Sequence, residues 1–336
     1  MPRGVTGDVM GDVTGDVTPD VTVCVSTRNR AGLLPRLVDH LERQTIGPQR
    51  FEAVIVDNGS SDDTWEVLEQ LAATTSFPLT VLRNEPGKGP AAGRNRAWRA
   101  ASAPLCAFTD DDCLPVDSWL EHVLAATATQ EVIAAGAVRP PADQHRLLGS
   151  FTRSVWASAD TAAWCATANL VVRRDDLEAV GGFDESFLNV SGEDTDLGLR
   201  VMEQGRRFTF LADAVVEHPV EMTSMTQLLR DQRRWADLVA VIARHPRARS
   251  LLLHRTVFWK ASHPSFLLMV AGLLGARRRP AALALAVPWV HRRLCSHPVA
   301  ETLGERIATL PGVAILDAHE VLVMAEGSLR YRTVVL

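Results

Sequence analysis

Three adjacent aspartates, Asp110, Asp111 and Asp112, follow an apolar segment and are the clearest candidates for chemistry in the chain. Carboxylates held this close repel one another, so they cost stability unless a cation or a basic side chain neutralises them. Hard divalent cations take oxygen ligands, and Mg²⁺ commonly binds one or two carboxylates together with substrate phosphates. A solvated acidic turn is the simpler interpretation. The position of the triplet at the end of a predicted strand favours a metal site.

A second acidic cluster, Glu193, Asp194 and Asp196, follows a glycine-rich turn at Gly192. One acid at a helix start is ordinary capping chemistry, because the first backbone N–H groups of a helix lack partners. Three acids exceed what capping requires, although a capping role alone stays open. A carboxylate placed here would act as a general base if it reached an acceptor hydroxyl.

Other candidates are basic or isolated residues. Lys88 and Arg94 lie in the glycine-rich segment PGKGPAAGRNRAW, where glycines allow close backbone approach and basic groups can neutralise a diphosphate. The glycine spacing fits neither a Walker loop nor the Rossmann fingerprint. Asp57 ends a predicted strand and can accept hydrogen bonds from a nucleobase or ribose. His218 follows another strand, and a lone histidine is more often structural than a metal ligand.

Alternating strand and helix patterns position these residues. Four buried strands are predicted from β-branched or apolar runs at residues 21–27, 51–58, 78–84 and 104–108. The amphipathic segments between them predict helices, so we expect an α/β fold with a mostly parallel mixed sheet flanked by helices. Ligands of such sheets bind beyond the carboxyl ends of the strands. The clusters Thr27–Arg30, Asp57–Asp63 and Asp110–Asp112 all fall there.

The chain divides into three predicted parts. Residues 1–20 repeat Gly-Asp-Val and predict a disordered leader, because glycine is costly to order. Residues 21–222 form the α/β domain, and residues 223–336 form a mainly helical extension. The last segment, Val313–Leu336, predicts two strands around a turn at Glu326–Ser328, which is a C-terminal β hairpin.

Two apolar runs in the extension, Phe266–Ala276 and Ala281–Val290, flank Arg277–Arg279. Each run is about half of the roughly twenty residues that a spanning helix needs. We therefore expect no bilayer span. A packed helical hairpin and a membrane-surface anchor, with arginines on the lipid headgroups, both stay open.

Composition limits the function classes. The chain has 336 residues, is 46% hydrophobic and carries a formal charge of -5 with a pI of about 6.1, which excludes global disorder and argues against nucleic acid as a partner. Five cysteines form no CxxC pair, which fits a reducing compartment. The polar start does not resemble a signal peptide. We expect a cytoplasmic location, with peripheral contact at the inner face of the membrane as an option. A homodimer is left open.

Five segments together resemble the family 2 glycosyltransferases of the GT-A fold. In order they are VCVSTRNRAGLLPRLVDHLERQT, VIVDNGSSDDT, GKGPAAGRNRAW, FTDDDCLP and GGFDESFLNVSGEDTDLGLRVMEQG, within residues 21–220. The aspartate triplet alone is a weak signal, whereas the ordered set is specific. The resemblance implies an inverting transfer from a nucleoside-diphosphate sugar, with a UDP-sugar as the expected donor and Mg²⁺ or Mn²⁺ bridging the diphosphate.

The resemblance also implies roles for single residues. The implied donor-binding residues are Thr27, Arg30, Asp57, Lys88, Arg94, Asp110 and Asp111. The implied metal ligands are Asp112, Asp110 and His218, with Asp112 the more direct. Asp194 is the implied catalytic base, with Glu193 beside it. Arg233, Arg234 and Trp235 are placed on the acceptor or diphosphate side.

Processive synthases of this family carry a QxxRW signature and several membrane spans. Here Gln232 lies one residue too close to Arg234-Trp235, so we expect one or few sugars per acceptor. Two rivals stay open: a nucleotidyltransferase that makes a nucleotide sugar, and an inactive module that only binds one. The sequence names neither the sugar nor the acceptor.

Overall fold

The computed structural model describes residues 18–127, 132–187, 191–246, 248–249, 257–295 and 301–336. The leader predicted over residues 1–20 lies outside the described residues except for its last three.

Among the described residues, eight strands form one mixed sheet in the order β3-β2-β1-β4-β8-β6-β9-β5. They are β1 (Val21–Thr27), β2 (Phe51–Asp57), β3 (Leu79–Arg83), β4 (Leu105–Phe108), β5 (Leu114–Pro115), β6 (Val132–Arg139), β8 (Leu170–Arg173) and β9 (Arg207–Glu217). The first four strands of this order are parallel, β6 runs parallel to β9, and β8 and β5 run antiparallel to their neighbours. The separate pair β7 (Thr152–Arg153) and β10 (Glu221–Met222) is antiparallel. The predicted α/β fold is confirmed.

Within the described residues, six helices cover the sheet. They are α1 (Leu34–Glu42), α2 (Thr64–Thr74), α3 (Gly89–Ala100), α4 (Trp119–Thr127), α5 (Arg174–Val180) and α6 (Glu193–Glu203). Alternate residues of β1 enter two apolar layers: Val23 and Val25 lie in the layer with α1 and α4, and Cys24 lies in the layer with α3 and α6. Burial on both faces explains why the strand sequences read as nearly continuous apolar runs.

The C-terminal region is helical in the described residues. It contains α7 (Met225–Gln232), α8 (Trp235–Arg244), α9 (Ser262–Gly275), a 3₁₀ segment (Pro280–Ala286), α10 (Val287–Cys295) and α11 (Leu303–Tyr331). Phe266, Met269 and Trp289 pack α9 and α10 against apolar residues of α11. The two apolar runs thus form a hairpin whose arms are α9 and the 3₁₀ segment with α10, but packing covers only part of them, because Leu274 and Leu283 are exposed.

The predicted C-terminal β hairpin is wrong, because α11 is one continuous helix. A capping box starts it: Thr302 Oγ1 accepts from Glu305 N at 3.3 Å, and Glu305 Oε2 accepts from Thr302 N at 2.7 Å. The expected turn contains Gly327, which instead serves packing, since a Cβ there would lie 2.8 Å from the Ala236 carbonyl oxygen. A glycine needed for helix contact gave the same local signal as a turn glycine.

Helix α11 is the one described helix that is long and apolar enough, by length and composition, to cross a membrane. Only 22% of its most apolar stretch is buried. The expectation of no spanning segment rests on the two shorter apolar runs, and it overlooks α11 because the hairpin prediction divides this helix.

Candidate active site

The polar ends of three neighbouring parallel strands meet at one edge of the sheet. Strand β1 ends at Thr27 and pairs with Asp57 at the end of β2, while β4 continues into Asp110–Asp112. The backbone N–H of Asn58 donates to the Thr27 carbonyl oxygen at 2.8 Å. The three clusters predicted from the sequence therefore lie together, as the carboxyl edge of a parallel sheet requires.

The glycines of the segment before α3 bring backbones close together. A Cβ at Gly87 would lie 1.9 Å from the Asn58 carbonyl oxygen, and a Cβ at Gly93 would lie 2.0 Å from Ser26 Oγ. The glycines are thus needed for close contact between two segments of the protein itself. The segment positions Lys88, whose side chain is exposed, at the start of α3.

Asp57 is fully buried at the end of β2. Its Oδ1 accepts a hydrogen bond from Ser60 N at 2.9 Å, and its Oδ2 lies 3.2 Å from Arg83 Nε. These contacts fix the turn after β2 and hold the carboxylate in one orientation at the sheet edge.

Arg94 connects the two acidic clusters. Its Nη2 lies 3.0 Å from Asp110 Oδ1, and its Nη1 lies 2.8 Å from Glu193 Oε1, with Arg94 and Glu193 both buried. Burial opposes the charged guanidinium, but the carboxylates of Asp110 and Glu193 outweigh this and raise the pKa of Arg94. Arg94 therefore neutralises part of the aspartate triplet, and it also holds the start of α6 beside the triplet.

Asp112 and His218 face each other across the strand ends, with His218 Nε2 3.5 Å from Asp112 Oδ1. The other ring nitrogen, Nδ1, lies 3.0 Å from the Pro219 carbonyl oxygen. A carbonyl oxygen only accepts hydrogen bonds, so Nδ1 carries the proton, and in the neutral ring Nε2 keeps a free lone pair toward Asp112. This is the usual arrangement of a metal-binding histidine whose tautomer is fixed by a backbone partner.

The donor set fits a divalent cation in part. Ligand atoms of Asp112, Cys113 and His218 lie within 4.8 Å of one another, whereas the predicted ligand Asp110 is outside this described group and pairs with Arg94. Burial, followed by the charges of Asp110 and Asp112, raises the pKa of the Cys113 thiol well above its usual value. A protonated thiol is a poor ligand for a hard cation, so Asp112 and His218 are the residues that would hold Mg²⁺ or Mn²⁺.

Two residues of the aspartate triplet, Asp111 and Asp112, have pKa values above the ordinary aspartate range. Burial raises the pKa of Asp111 to about 7, and the charge of Asp112 adds to this, while Arg30 Nε at 4.0 Å from Asp111 opposes it. Burial and Asp110 likewise raise the pKa of Asp112. The described basic side chains therefore compensate the negative charge of Asp110–Asp112 only in part.

Replacing Asp111 with asparagine is expected to flatten the pH dependence of the stability of the metal-free protein. The pKa of Asp111 is about 7 in the folded state, so the folded protein retains a proton that the unfolded chain releases at about pH 4. This contribution to stability is present at low pH and is lost as the pH rises through about 7. Thermal unfolding with a chelator at several pH values checks it; an equally steep fall in both proteins would contradict it.

Asp194 lies in the first turn of α6, next to the buried Glu193. Its Oδ1 accepts from its neighbour's backbone, Thr195 N, at 2.7 Å. Burial raises the pKa of Asp194 to about 7, with Glu193 adding to the rise and Arg94 opposing it. A carboxylate with this pKa is both ionised enough and basic enough to accept a proton near neutral pH.

A cavity of about 810 Å³ opens beside Asp194 and also contacts Arg94 and Asp110. Arg234 and Trp235 line it, whereas Arg233 is exposed and outside the lining. Arg234 forms no ion pair with a described residue, and its buried Nε has no hydrogen-bond partner there. The cavity therefore contains a cation that an anionic group of a ligand would satisfy.

Aromatic residues that carry no sequence motif complete the cavity. Trp156, Trp164 and Trp259 join Trp235 in the lining, and the Trp259 ring centre lies 4.7 Å from that of Trp164 and 5.4 Å from that of Trp235. Sequence reasoning missed them because they come from irregular segments with no periodicity. The high number of tryptophans, eight against one tyrosine, was the available signal.

Glu320 of α11 fixes the wall that carries Trp259. It accepts from Trp259 Nε1 at 2.9 Å, and its Oε1 lies 2.7 Å from Lys260 Nζ. Burial alone would raise the pKa of Glu320, but His263 and Lys260 lower it to about 2. Helix α11, where the sequence predicts a β hairpin, thus holds the cavity wall in place through the ionised carboxylate of Glu320.

Replacing Glu320 with glutamine is expected to lower the free energy of unfolding by about 2 kcal/mol. This is less than the about 3–5 kcal/mol lost when fully buried pairs are broken, because the half-exposed Lys260 can regain water. Glu326→Gln on the same helix is the control, since Glu326 pairs with Arg330 in solvent and should matter by less than about 0.5 kcal/mol. Urea unfolding of both variants measures this, and equal losses would contradict it.

Comparison with known families supports a relationship along most of the chain. The profile of Glycosyl transferase family 2 matches residues 22–161. The profile of Glycosyl transferase family 21 matches residues 122–316, and this second match covers more than half of the chain. The first range contains the aspartate triplet, and the second contains α6 and the cavity walls.

Individual relatives agree. Validoxylamine A glucosyltransferase of Streptomyces hygroscopicus subsp. limoneus is 31% identical over 236 residues, covering 60% of this chain and 52% of that protein. Glycosyltransferase AglE of Haloferax volcanii is 30% identical over 221 residues, covering 63% of this chain and 70% of that protein. The chain spans about half the length of the first of these relatives.

A solved structure shows the same fold. The mannosyltransferase PcManGT from Pyrobaculum calidifontis, in complex with GDP-Man and Mn²⁺, superposes with a TM-score of 0.61 at 21% identity, covering 94% of this chain and 89% of that one. By these matches the chain belongs to the family 2 and family 21 group of glycosyltransferases, and it has the GT-A fold.

Proposed function

We propose that the chain transfers a sugar from a nucleoside-diphosphate sugar to a hydroxyl or amine acceptor, with inversion and with the help of a divalent cation. The observation that carries this proposal is the Arg94 bridge. It fixes Asp110 of the strand-end triplet and Glu193, beside Asp194, against one guanidinium. The donor's diphosphate and the acceptor's proton would therefore be handled in one cavity.

The reaction is a single displacement. The acceptor oxygen forms a bond to the anomeric carbon as the bond from that carbon to the diphosphate oxygen breaks, and the Asp194 carboxylate takes the acceptor proton. Arg234 would bind the departing diphosphate, since its charge faces the cavity without an ion pair among the described residues. Bound Mg²⁺ or Mn²⁺ at Asp112 and His218 would neutralise the charge that builds on the leaving group.

Donor binding is proposed to use the sheet edge. Thr27, Arg30 and Asp57 lie at or after the ends of β1 and β2, and Lys88 starts α3 nearby. The superposed mannosyltransferase holds GDP-Man, so a guanosine donor stands beside the expected UDP-sugar. A cytoplasmic location is proposed because all five cysteines are unpaired.

Transfer of one or few sugars is proposed because Gln232 does not take part in the cavity. Its Nε2 lies 3.5 Å from Glu320 Oε2, and its Oε1 accepts from His319 Nδ1 at 2.9 Å. The side chain is therefore held against α11 and is not presented to a growing polymer.

Purified protein incubated with a panel of UDP- and GDP-sugars tests the proposal. A selective donor should raise the melting temperature in the presence of Mn²⁺, through mass action on the folded state. Release of nucleoside diphosphate on addition of acceptors supports sugar transfer. Release of pyrophosphate from a nucleoside triphosphate and a sugar phosphate would instead indicate a nucleotidyltransferase, and donor binding without turnover would indicate an inactive module.

A further inference from the structure

The C-terminal region contains a strongly basic segment within an acidic chain. Residues 238–300 include ten lysines and arginines and no aspartate or glutamate, while the whole chain has a formal charge of -5. Arg277, Arg278 and Arg279 lie together after α9, and all three are exposed. None of them forms an ion pair within the described part of the chain. This concentration of positive charge attracts anionic surfaces.

Large aliphatic side chains stand exposed on both sides of these arginines. Their exposed fractions lie between 42% and 66%, and they are Leu268, Leu273, Leu274, Leu283, Leu285 and Val287. On α9, Leu268, Ala271 and Leu274 recur at helical spacing and are exposed, and Arg277–Arg279 follow the end of the helix. We call these six side chains and Arg277–Arg279 the hairpin surface.

The hairpin surface faces solvent because the opposite side of the hairpin packs against α11. Phe266, Met269 and Trp289 are buried against α11. A Cβ at Gly272 would lie 2.7 Å from the Ala282 carbonyl oxygen, so α9 and the 3₁₀ segment are in close contact. The exposed leucines therefore cannot turn inward without dismantling this contact.

We propose that the hairpin surface docks on the face of an anionic lipid bilayer. Exposed aliphatic residues interleaved with arginines suit the boundary between acyl chains and acidic headgroups, where each group finds its preferred surroundings. A nucleic acid would pair with the arginines but leave the leucines in water. A symmetric second copy would cover the leucines but bring two arginine triplets toward each other.

The mode of binding is interfacial. Helix α11 is long enough to span, but Asp317 and Glu320 lie in its middle and hold Trp289 and Lys260. A spanning α11 would place both carboxylates in hydrocarbon and break these contacts. The cavity is bordered by Ala261 and Pro264 at the start of α9. Helix α9 is about 20 Å long, so docking of the hairpin surface would bring the cavity near the membrane surface.

Co-sedimentation of the full-length protein with vesicles tests the proposal. Vesicles of phosphatidylcholine and phosphatidylglycerol in equal parts should bind the protein, and vesicles of phosphatidylcholine alone should bind at least about tenfold less. Neutralising the triplet (R277Q, R278Q and R279Q together) should weaken binding to the mixed vesicles by about tenfold or more, and high salt should do the same. Leu274→Glu with Leu285→Glu should abolish binding, whereas Leu147→Glu, an exposed leucine elsewhere, should not.

Several outcomes would overturn the proposal. Equal binding to both kinds of vesicle, or unchanged binding in the leucine variant, would remove the hairpin surface as the contact. Release by detergent but not by alkaline carbonate would indicate a spanning segment. A concentration-dependent dimer that Leu274→Glu disrupts, without vesicle binding, would assign the surface to a second copy. Unchanged binding of UDP or GDP with Mn²⁺ in these variants shows that the fold and the donor site are intact.

Discussion

Replacing Asp194 with asparagine is expected to lower kcat by about 10²–10⁴-fold, the usual loss when a general base is removed. Asp194 is the carboxylate of α6 that lines the cavity with a pKa near 7 and without an ion pair among the described residues. In the proposed step Asp194 contacts the acceptor and not the donor, so the donor's dissociation constant should stay within about twofold of the wild type. Steady-state kinetics and calorimetry with the same donor separate the two effects.

The neighbouring acids provide matched controls. Asp196 is buried and engaged with Arg200 Nε at 2.8 Å and His245 Nε2 at 3.1 Å, so Asp196→Asn should lower the melting temperature and leave kcat near normal. Glu193→Gln weakens the Arg94 bridge and should affect donor binding as well as kcat. A near-normal kcat in Asp194→Asn with a large loss in Glu193→Gln would transfer the role of base to Glu193.

The pH profile gives a second check on Asp194. A base acts only when ionised, so below its pKa the fraction of active enzyme falls tenfold per pH unit. With the pKa of Asp194 raised to about 7, kcat/KM should rise with pH up to about 7 and then level off. A profile that is already flat from about pH 5 would mean a base of ordinary aspartate pKa, and would contradict this environment for Asp194.

The sheet edge was predictable because its signals are local. A β-branched run followed by Asp57 or Asp110 predicts both the strand and its polar end. Parallel pairing then brings such ends together, independently of the other segments of the chain. The Arg94 bridge was not predictable. Arg94 and Glu193 are 99 residues apart, and nothing near either residue indicates its partner.

In the C-terminal third, the local sequence signals predict the wrong structure. Its β-branched residues and the Glu326-Gly327-Ser328 turn signal favour a hairpin locally, yet Gly327 is needed where α11 meets Ala236 of α8. Tertiary contact overrides local propensity here, because a packed helix buries Val323 and Met324, which an isolated two-stranded hairpin could not. The tryptophan wall depends on this helix through Glu320, so missing α11 also meant missing the wall.

Replacing Asp112 with asparagine is expected to abolish the Mn²⁺ dependence of nucleoside diphosphate binding. Asp112 Oδ1 and His218 Nε2 are the two atoms that face each other with the chemistry of a divalent-cation site. Loss of supporting partners of a metal ligand typically costs about 10–100-fold in metal affinity, so loss of the ligand itself should cost at least the upper end of that range. His218→Ala should show the same loss, because it removes the second donor atom.

Cys113 and Asp110 make the experiment selective. Cys113 lies in the same group of potential ligands, but its pKa is raised well above the usual value, so Cys113→Ser should keep the Mn²⁺ effect. Asp110→Asn should keep the Mn²⁺ effect, because it leaves both facing ligand atoms, Asp112 Oδ1 and His218 Nε2, in place. Calorimetry of UDP and GDP with and without Mn²⁺ compares the four variants. Should Asp112→Asn retain the Mn²⁺ effect while Asp110→Asn loses it, the cation is bound by Asp110, and Arg94 must move away from that carboxylate when the donor arrives.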